Sequence, residues 1–252
     1  MSDTNPTVPN SEPEPVGAKA APRRGRLGRV VRGLLILALM IGFVGPVLTV
    51  AVYRFVPPPI TFLMVQRLFE GHGFSRNWRG LEDISPHLVR SVIAAEDANF
   101  CSHRGFDLEA IRKAMAHNES SDRVRGGSTI SQQTAKNVFL WPERSYVRKG
   151  LEAYFTVLIE VMWGKPRIME VYLNSIEFGP GVYGAQAAAR KNFGIDAKDL
   201  TRTQAARLAA VLPRPLRYKA DTPGPYMRRR SGRIQAAAGT IRRDNLDACV
   251  LG

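Results

Sequence analysis

The chain has 252 residues, 36 Lys+Arg against 22 Asp+Glu and only two cysteines, which suits one globular domain with appendages and excludes a small disulfide scaffold. Its 44% hydrophobic content, with Gly 22 and Pro 17 spread without a period, excludes a collagen-like or wholly disordered chain. A net charge of +14 points to an anionic partner: nucleic acid, an anionic membrane surface or a phosphorylated substrate.

Residues 1–22 hold five prolines among polar and small residues and, with the basic run that follows, are expected to form a disordered cytoplasmic tail over 1–32. Residues 33–53, GLLILALMIGFVGPVLTVAVY, carry no charge and lie between Arg32 and Arg54. Such a run matches the roughly 20 apolar residues that span a bilayer and exceeds the core of a cleaved signal peptide, about 7–15. Gly42, Gly45 and Pro46 suit lipid better than a soluble helix. A transmembrane signal anchor over 33–54 is predicted. Arg23, Arg24, Arg26, Arg29 and Arg32 precede it and only Arg54 follows closely, so the positive-inside rule keeps the N-terminus cytoplasmic and exports the rest. Export removes nucleic acid from the list of partners. Cys101 and Cys249 then lie in a disulfide-permissive compartment, and sequence leaves open whether they pair.

Residues 55–80 form a membrane-proximal segment, with a stiff Pro57-Pro58-Pro59 spacer ahead of the apolar ITFLMVQRLFEG. From 81 to 252 the periodicity is helical, with no sustained two-residue alternation, and a mainly α domain is expected. Ser85-Pro86 reads as a helix start, and Thr201 to Gln204 as a capping box.

Three stretches carry chemistry. Glu96 prolongs the apolar stripe of Val89 and Ile93. Burial there raises a carboxyl pKa toward the range of a general base; a loop cap or an ion pair with arginine is the other reading. Asp97 and His103 read as hydrogen-bond partners of the turn FCSHRGFD. In GGSTISQQTAKN, a helix starting at Ser128 places Ser128, Gln132 and Lys136 on one polar stripe and aims free amides at an anion; an ordinary solvated helix face fits the same pattern. In ERSYVRKGLEAYFTVLIE, Arg144, Arg148, Lys149 and Glu152 fall on the first helical turns, above a core stripe of Leu151, Phe155, Leu158 and Met162. Arg148 and Glu152 read either as a plain i,i+4 pair or as part of a cluster holding a diphosphate with a cation at Glu152.

As a set, EDANFCSHRGFD, GGSTISQQTAKN, RKGLE, KPRIMEVYLNSIEFGPGVYG and ARLAAVL, in this order, resemble the five motifs of the bacterial peptidoglycan glycosyltransferases, glycosyltransferase family 51. The resemblance covers residues 87–217 and fits the stand-alone, membrane-anchored branch: no Ser-x-x-Lys or Lys-Thr-Gly is present, and no transpeptidase activity is expected. Cys101 and Trp141 depart from the family's commonest form, between its key positions.

The resemblance implies a lysozyme-like, mainly α domain with a smaller membrane-dipping lobe, and polymerisation of lipid II into β-1,4-linked glycan with release of undecaprenyl diphosphate. It implies that Glu96 is the general base, and that Lys136, Arg144 and Glu152 stabilise the departing diphosphate, Glu152 through Mg²⁺ or Mn²⁺. Ser128, Gln132 and Arg148 match the surrounding substrate contacts. Expected partners are lipid II, the growing lipid-linked chain, the membrane and other cell-wall synthesis proteins; the expected location is the bacterial inner membrane, single-pass, with a periplasmic catalytic domain. A lysozyme-type glycosidase is the runner-up, disfavoured because a hydrolase acting on neutral polymer has no need of Lys136 and Arg144 beside its second carboxylate. A non-catalytic wall-binding protein would leave Glu96 on its apolar stripe without a purpose.

Overall fold

The charge-free run is helical, and the helix starts before it. In the computed structural model, which describes residue 2, residues 24–120 and residues 126–252, α1 (Arg24–Leu39) continues into a π turn at Met40–Val44 and then α2 (Gly45–Tyr53). The turn fits the local chemistry: Gly45 donates to Met40 O, one residue further back than in an α-helix, and Pro46 has no N–H to give. The stretch Gly28–Tyr53 is long and apolar enough to cross a membrane, and its side chains are mostly exposed. Arg24–Arg32, expected in the tail, are helical instead; residues 3–23 of that tail lie outside the described residues.

The chain divides into two compact units, Met1–Gly45 and Pro46–Gly252. In the second, the end of α2 is bonded to the domain through two of its carbonyls, Val50 O, which also accepts from Arg54 N at 3.1 Å, and Tyr53 O in the last turn. Trp163 Nε1 donates to Val50 O at 2.7 Å and Arg167 Nη2 to Tyr53 O at 2.8 Å. Arg76 Nη1 donates to Pro58 O at 2.7 Å and so holds the proline spacer. α3 (Phe62–Phe69) starts at Thr61, whose hydroxyl accepts from Met64 N. It buries Met64 and leaves Phe62 and Phe69 exposed, the latter by 88%.

The mainly α expectation holds, with one small sheet in addition. β1 (Ser75–Arg76), β2 (Glu177–Gly179) and β3 (Val182–Tyr183) lie in the order β1-β3-β2, with β1 parallel and β2 antiparallel to β3. Strands of two or three residues are too short to show alternation. Gly181 makes the turn possible: its φ is +67°, and a Cβ there would lie 2.3 Å from His72 O.

Two helical groups build the core around the cleft. α4 (Pro86–Glu96) follows the Ser85 cap and buries Leu88, Val89, Val92 and Ile93 completely. α5 (Leu108–Ser120) precedes α6 (Ile130–Phe139), which packs on α7 (Tyr146–Met162) and α8 (Lys165–Ser175). After α9 (Ala185–Phe193), α10 (Arg202–Val211) begins at the expected Thr201–Gln204 capping box. It packs with α4 and α11 (Pro225–Arg243). α12 (Ala248–Leu251) ends the chain, and Cys101 and Cys249 form a disulfide across a sequence separation of 148. That disulfide ties the loop after Glu96 to the C-terminal segment, which Asp247 also fastens to α4 through Arg90 at 2.6 Å.

Candidate active site

Glu96 ends α4 beside a cavity of about 710 Å³. Ser128, Gln133, Pro213 and Arg230 line it as well. The apolar stripe beneath Glu96 is as expected, since Val89 and Ile93 are fully buried. Gln133 Nε2 donates to Glu96 Oε2 at 3.0 Å, and Tyr172 O–H donates to Gln133 Oε1 at 3.2 Å, so one carboxylate oxygen is oriented through a relay. Burial raises the Glu96 pKa above the usual carboxylate range, while the Gln133 hydrogen bond and the Arg230 and Lys136 charges restrain the shift. A carboxylate that accepts protons nearer neutrality is the result.

Asp97, which also lines this cavity, and His103 hydrogen-bond within the turn, as the sequence suggests. His103 Nε2 lies 2.9 Å from Asp97 Oδ1, and Asp97 Oδ2 accepts from Ile130 N at 2.9 Å. That contact corrects the expectation of free amides aimed at a ligand. α6 begins at Ile130, not Ser128, and its first donors are already taken, by Asp97 and by the reciprocal box of Thr129 with Gln132. Gln132 is thereby buried as a cap. Gly127 lies close to α5: a Cβ on it would meet the Ile111 backbone at 3.3 Å, a tight contact.

A second cavity, about 240 Å³, brings together Ser128, Gln132, Gln133, Lys136, Arg144, Arg148, Lys149 and Glu152. The seven residues to which the family resemblance gives catalytic or substrate-binding roles thus fall on two cavities that share Ser128 and Gln133. Arg144 sits in the loop before α7, not on its first turn, because Ser145 caps the helix. The buried stripe of α7 is also different: Arg148, Glu152, Thr156 and Ile159 face inward, while Leu151, Phe155, Leu158 and Met162 are half-buried at its flank. Glu152 accepts from Arg148 Nη1 at 2.7 Å and from Lys149 Nζ. Both side chains of the Arg148 pair are under 10% exposed. The lone carboxylate faces four cations. Burial lowers the Lys136 pKa, and Arg148, Lys149 and Arg144 lower it further against the pull of Glu152. Such crowding is relieved by an anion with several oxygens.

Gln133, Tyr172 and Arg230 escaped the sequence reading. Gln133 had a usable signal, a polar residue one helical turn before Lys136; Arg230 had none, being 134 positions from Glu96.

The transglycosylase family's sequence profile matches residues 64–238. The chain is also 60% identical over 222 residues to the biosynthetic peptidoglycan transglycosylase of Caulobacter vibrioides, covering 88% of this chain and 97% of that protein. The chain belongs to the transglycosylase family. Proteins of the same name from Pseudomonas aeruginosa (57% over 195 residues, 75% of this chain and 84% of that one) and Rhodospirillum centenum (48% over 227 residues, 90% and 95%) are similar along most of their length. The two adjoining cavities of this transglycosylase both lie within the matched region.

Proposed function

We propose the following division of labour for the family's reaction, the polymerisation of lipid II into glycan strands. Glu96 takes the proton from the 4-hydroxyl of the acceptor sugar as that oxygen bonds to the donor's anomeric carbon. The bond from that carbon to the diphosphate oxygen breaks, and the diphosphate leaves with the electron pair. Lys136, Arg144 and Arg148 receive the developing charge, in a site preorganised before the reaction begins. Glu152 holds Arg148 and Lys149 in place so that their like charges tolerate one another. Ser128 lines both cavities and borders the point where sugar meets diphosphate. The observation that carries this reading is that the Glu96 cleft and the cationic cavity adjoin, with Ser128 and Gln133 lining both.

A divalent cation (Mg²⁺ or Mn²⁺) has one candidate protein ligand here, Glu152. Among the described residues no group of three His, Cys, Asp or Glu side chains could hold a metal, and Glu152 is already engaged by two cations. These residues alone do not make a metal site.

The apolar helix anchors the enzyme beside a membrane-borne substrate, with the five arginines from Arg23 to Arg32 keeping the N-terminus in the cytoplasm and the catalytic domain on the outer face of the inner membrane. Other cell-wall synthesis proteins would meet it there. Incubating the purified protein with labelled lipid II, with and without EDTA, tests the reaction: polymer and free undecaprenyl diphosphate are expected. A reporter active only outside the cytoplasm, fused to the C-terminus, tests the orientation, and its silence would overturn the topology.

A further inference from the structure

The cleft occupies one end of the group formed by α4, α10 and α11. α4 and α10 start side by side, with Ser85 Oγ donating to Leu200 O at 2.9 Å. Both finish at the cleft, which Glu96 and Pro213 line; α11 runs the other way, from Arg230 at the cleft toward Arg243. At the far end lies a separate cavity of about 400 Å³, and His87, Arg90, Arg202, Gln235, Arg242 and Arg243 line it. None of these six lines the cleft or the cationic cavity.

The charges around this cavity do not balance. Arg90 is held by buried Asp247 at 2.6 Å, and Arg243 by its neighbour Asp244 at 3.0 Å. Arg202 and Arg242 have no carboxylate partner among the described residues, so two guanidiniums from two helices face the cavity unmatched. Thr203 Oγ1 donates to Gln235 Oε1 at 3.1 Å, which leaves the amide nitrogen as the remaining donor of that side chain. The His87 pKa is lowered, first by burial and then by Arg202, Arg90 and Arg242, so the three charges converge on one imidazole. Guanidinium forks match the oxygens of a phosphate or carboxylate. Both arginines are exposed and hydrated when alone, and the two together favour a group bearing two negative charges, which a phosphate monoester supplies and a single carboxylate or a phosphate diester does not.

We propose that this cavity is a second anion site, apart from the cleft, that takes a dianionic phosphate monoester. It holds the phosphate between Arg202 and Arg242, with Gln235 donating and Arg90 fixed behind. The cavity leaves room for the group that carries the phosphate, whether a soluble molecule or a lipid headgroup. This site does not rest on the catalytic reading above.

The test uses the full chain in detergent, with ¹³C-labelled histidine, and follows the His87 ring by NMR while inorganic phosphate is added at fixed ionic strength. A saturable shift with a raised His87 midpoint is expected, because a bound anion favours the imidazolium. The double variant Arg202→Ala/Arg242→Ala should weaken binding at least tenfold while retaining lipid II polymerisation, which reports that it is folded. Lys136→Ala should leave the His87 response unchanged, and monoanionic dimethyl phosphate should bind at least tenfold more weakly than phosphate. Saturation by glycerol 3-phosphate identifies a soluble occupant; saturation by nanodiscs containing phosphatidate, and not by glycerol 3-phosphate, identifies a lipid one. No saturable response to any of these probes, an undiminished response in the double variant, or its loss in Lys136→Ala would overturn the proposal.

Discussion

Replacing Glu96 by Gln isolates the proton-accepting step. The amide oxygen still accepts from Gln133 Nε2, so the relay to Tyr172 survives and only basicity is lost. General-base assistance contributes roughly 10²–10⁴ in rate, which corresponds to about 3–5 kcal/mol of barrier. Polymerisation of labelled lipid II at saturating substrate should fall by that range. The pH dependence has a definite sign. Because the folded pKa is raised, the wild-type rate should decline with acidity from a higher pH than an ordinary glutamate would give, and Glu96→Gln should lack that limb. Stability moves the other way. Below about pH 4, both folded and unfolded glutamate are protonated and the two proteins should match. As pH rises through the raised folded pKa the wild type progressively bears a desolvated charge, so the variant should be the more stable at neutral pH and above. A Glu96→Gln protein that polymerises lipid II at near wild-type rate would refute the assignment.

Glu152→Ala leaves Arg148 charged and buried, which should destabilise the domain by about 3–5 kcal/mol as read by denaturant unfolding; Arg148→Met/Glu152→Leu should recover most of that stability but not the activity. Lys136→Ala removes one charge-assisted contact to the leaving group and should lower turnover by roughly 10²-fold, with folding intact; unchanged kinetics there would reduce the cationic cavity to surface charge. Removing the disulfide with Cys101→Ser/Cys249→Ser frees a loop of 148 residues, and the chain-entropy treatment gives a loss of about 5 kcal/mol in unfolding free energy. A melting temperature unmoved by reductant would show that the bond does not constrain the unfolded chain.

The sequence by itself determined what is written locally. The anchor follows from an uncharged run, the starts of α4 and α10 from capping side chains that act within three residues, and the depth of Glu96 from its spacing after Val89 and Ile93. The seven site residues were legible because they fall within short motifs, even where the helix boundaries around Ser128 and Arg144 were misplaced by a few residues. Only the tertiary structure decided what depends on distant segments meeting. Asp97 occupies the α6 amides that looked free for a ligand, and Gln133 reaches across from α6 to orient Glu96. Arg230 joins the cleft from α11, and Cys101 finds Cys249. The inward face of α7 belongs to the same class: an amphipathic pattern marks Leu151 and Phe155 as core, but four cations gathered around one carboxylate turn Arg148 and Glu152 inward. Local propensity and periodicity act over a few residues, whereas burial, and with it the pKa of Glu96 and the pairing of Glu152, is a property of what the rest of the chain packs against them.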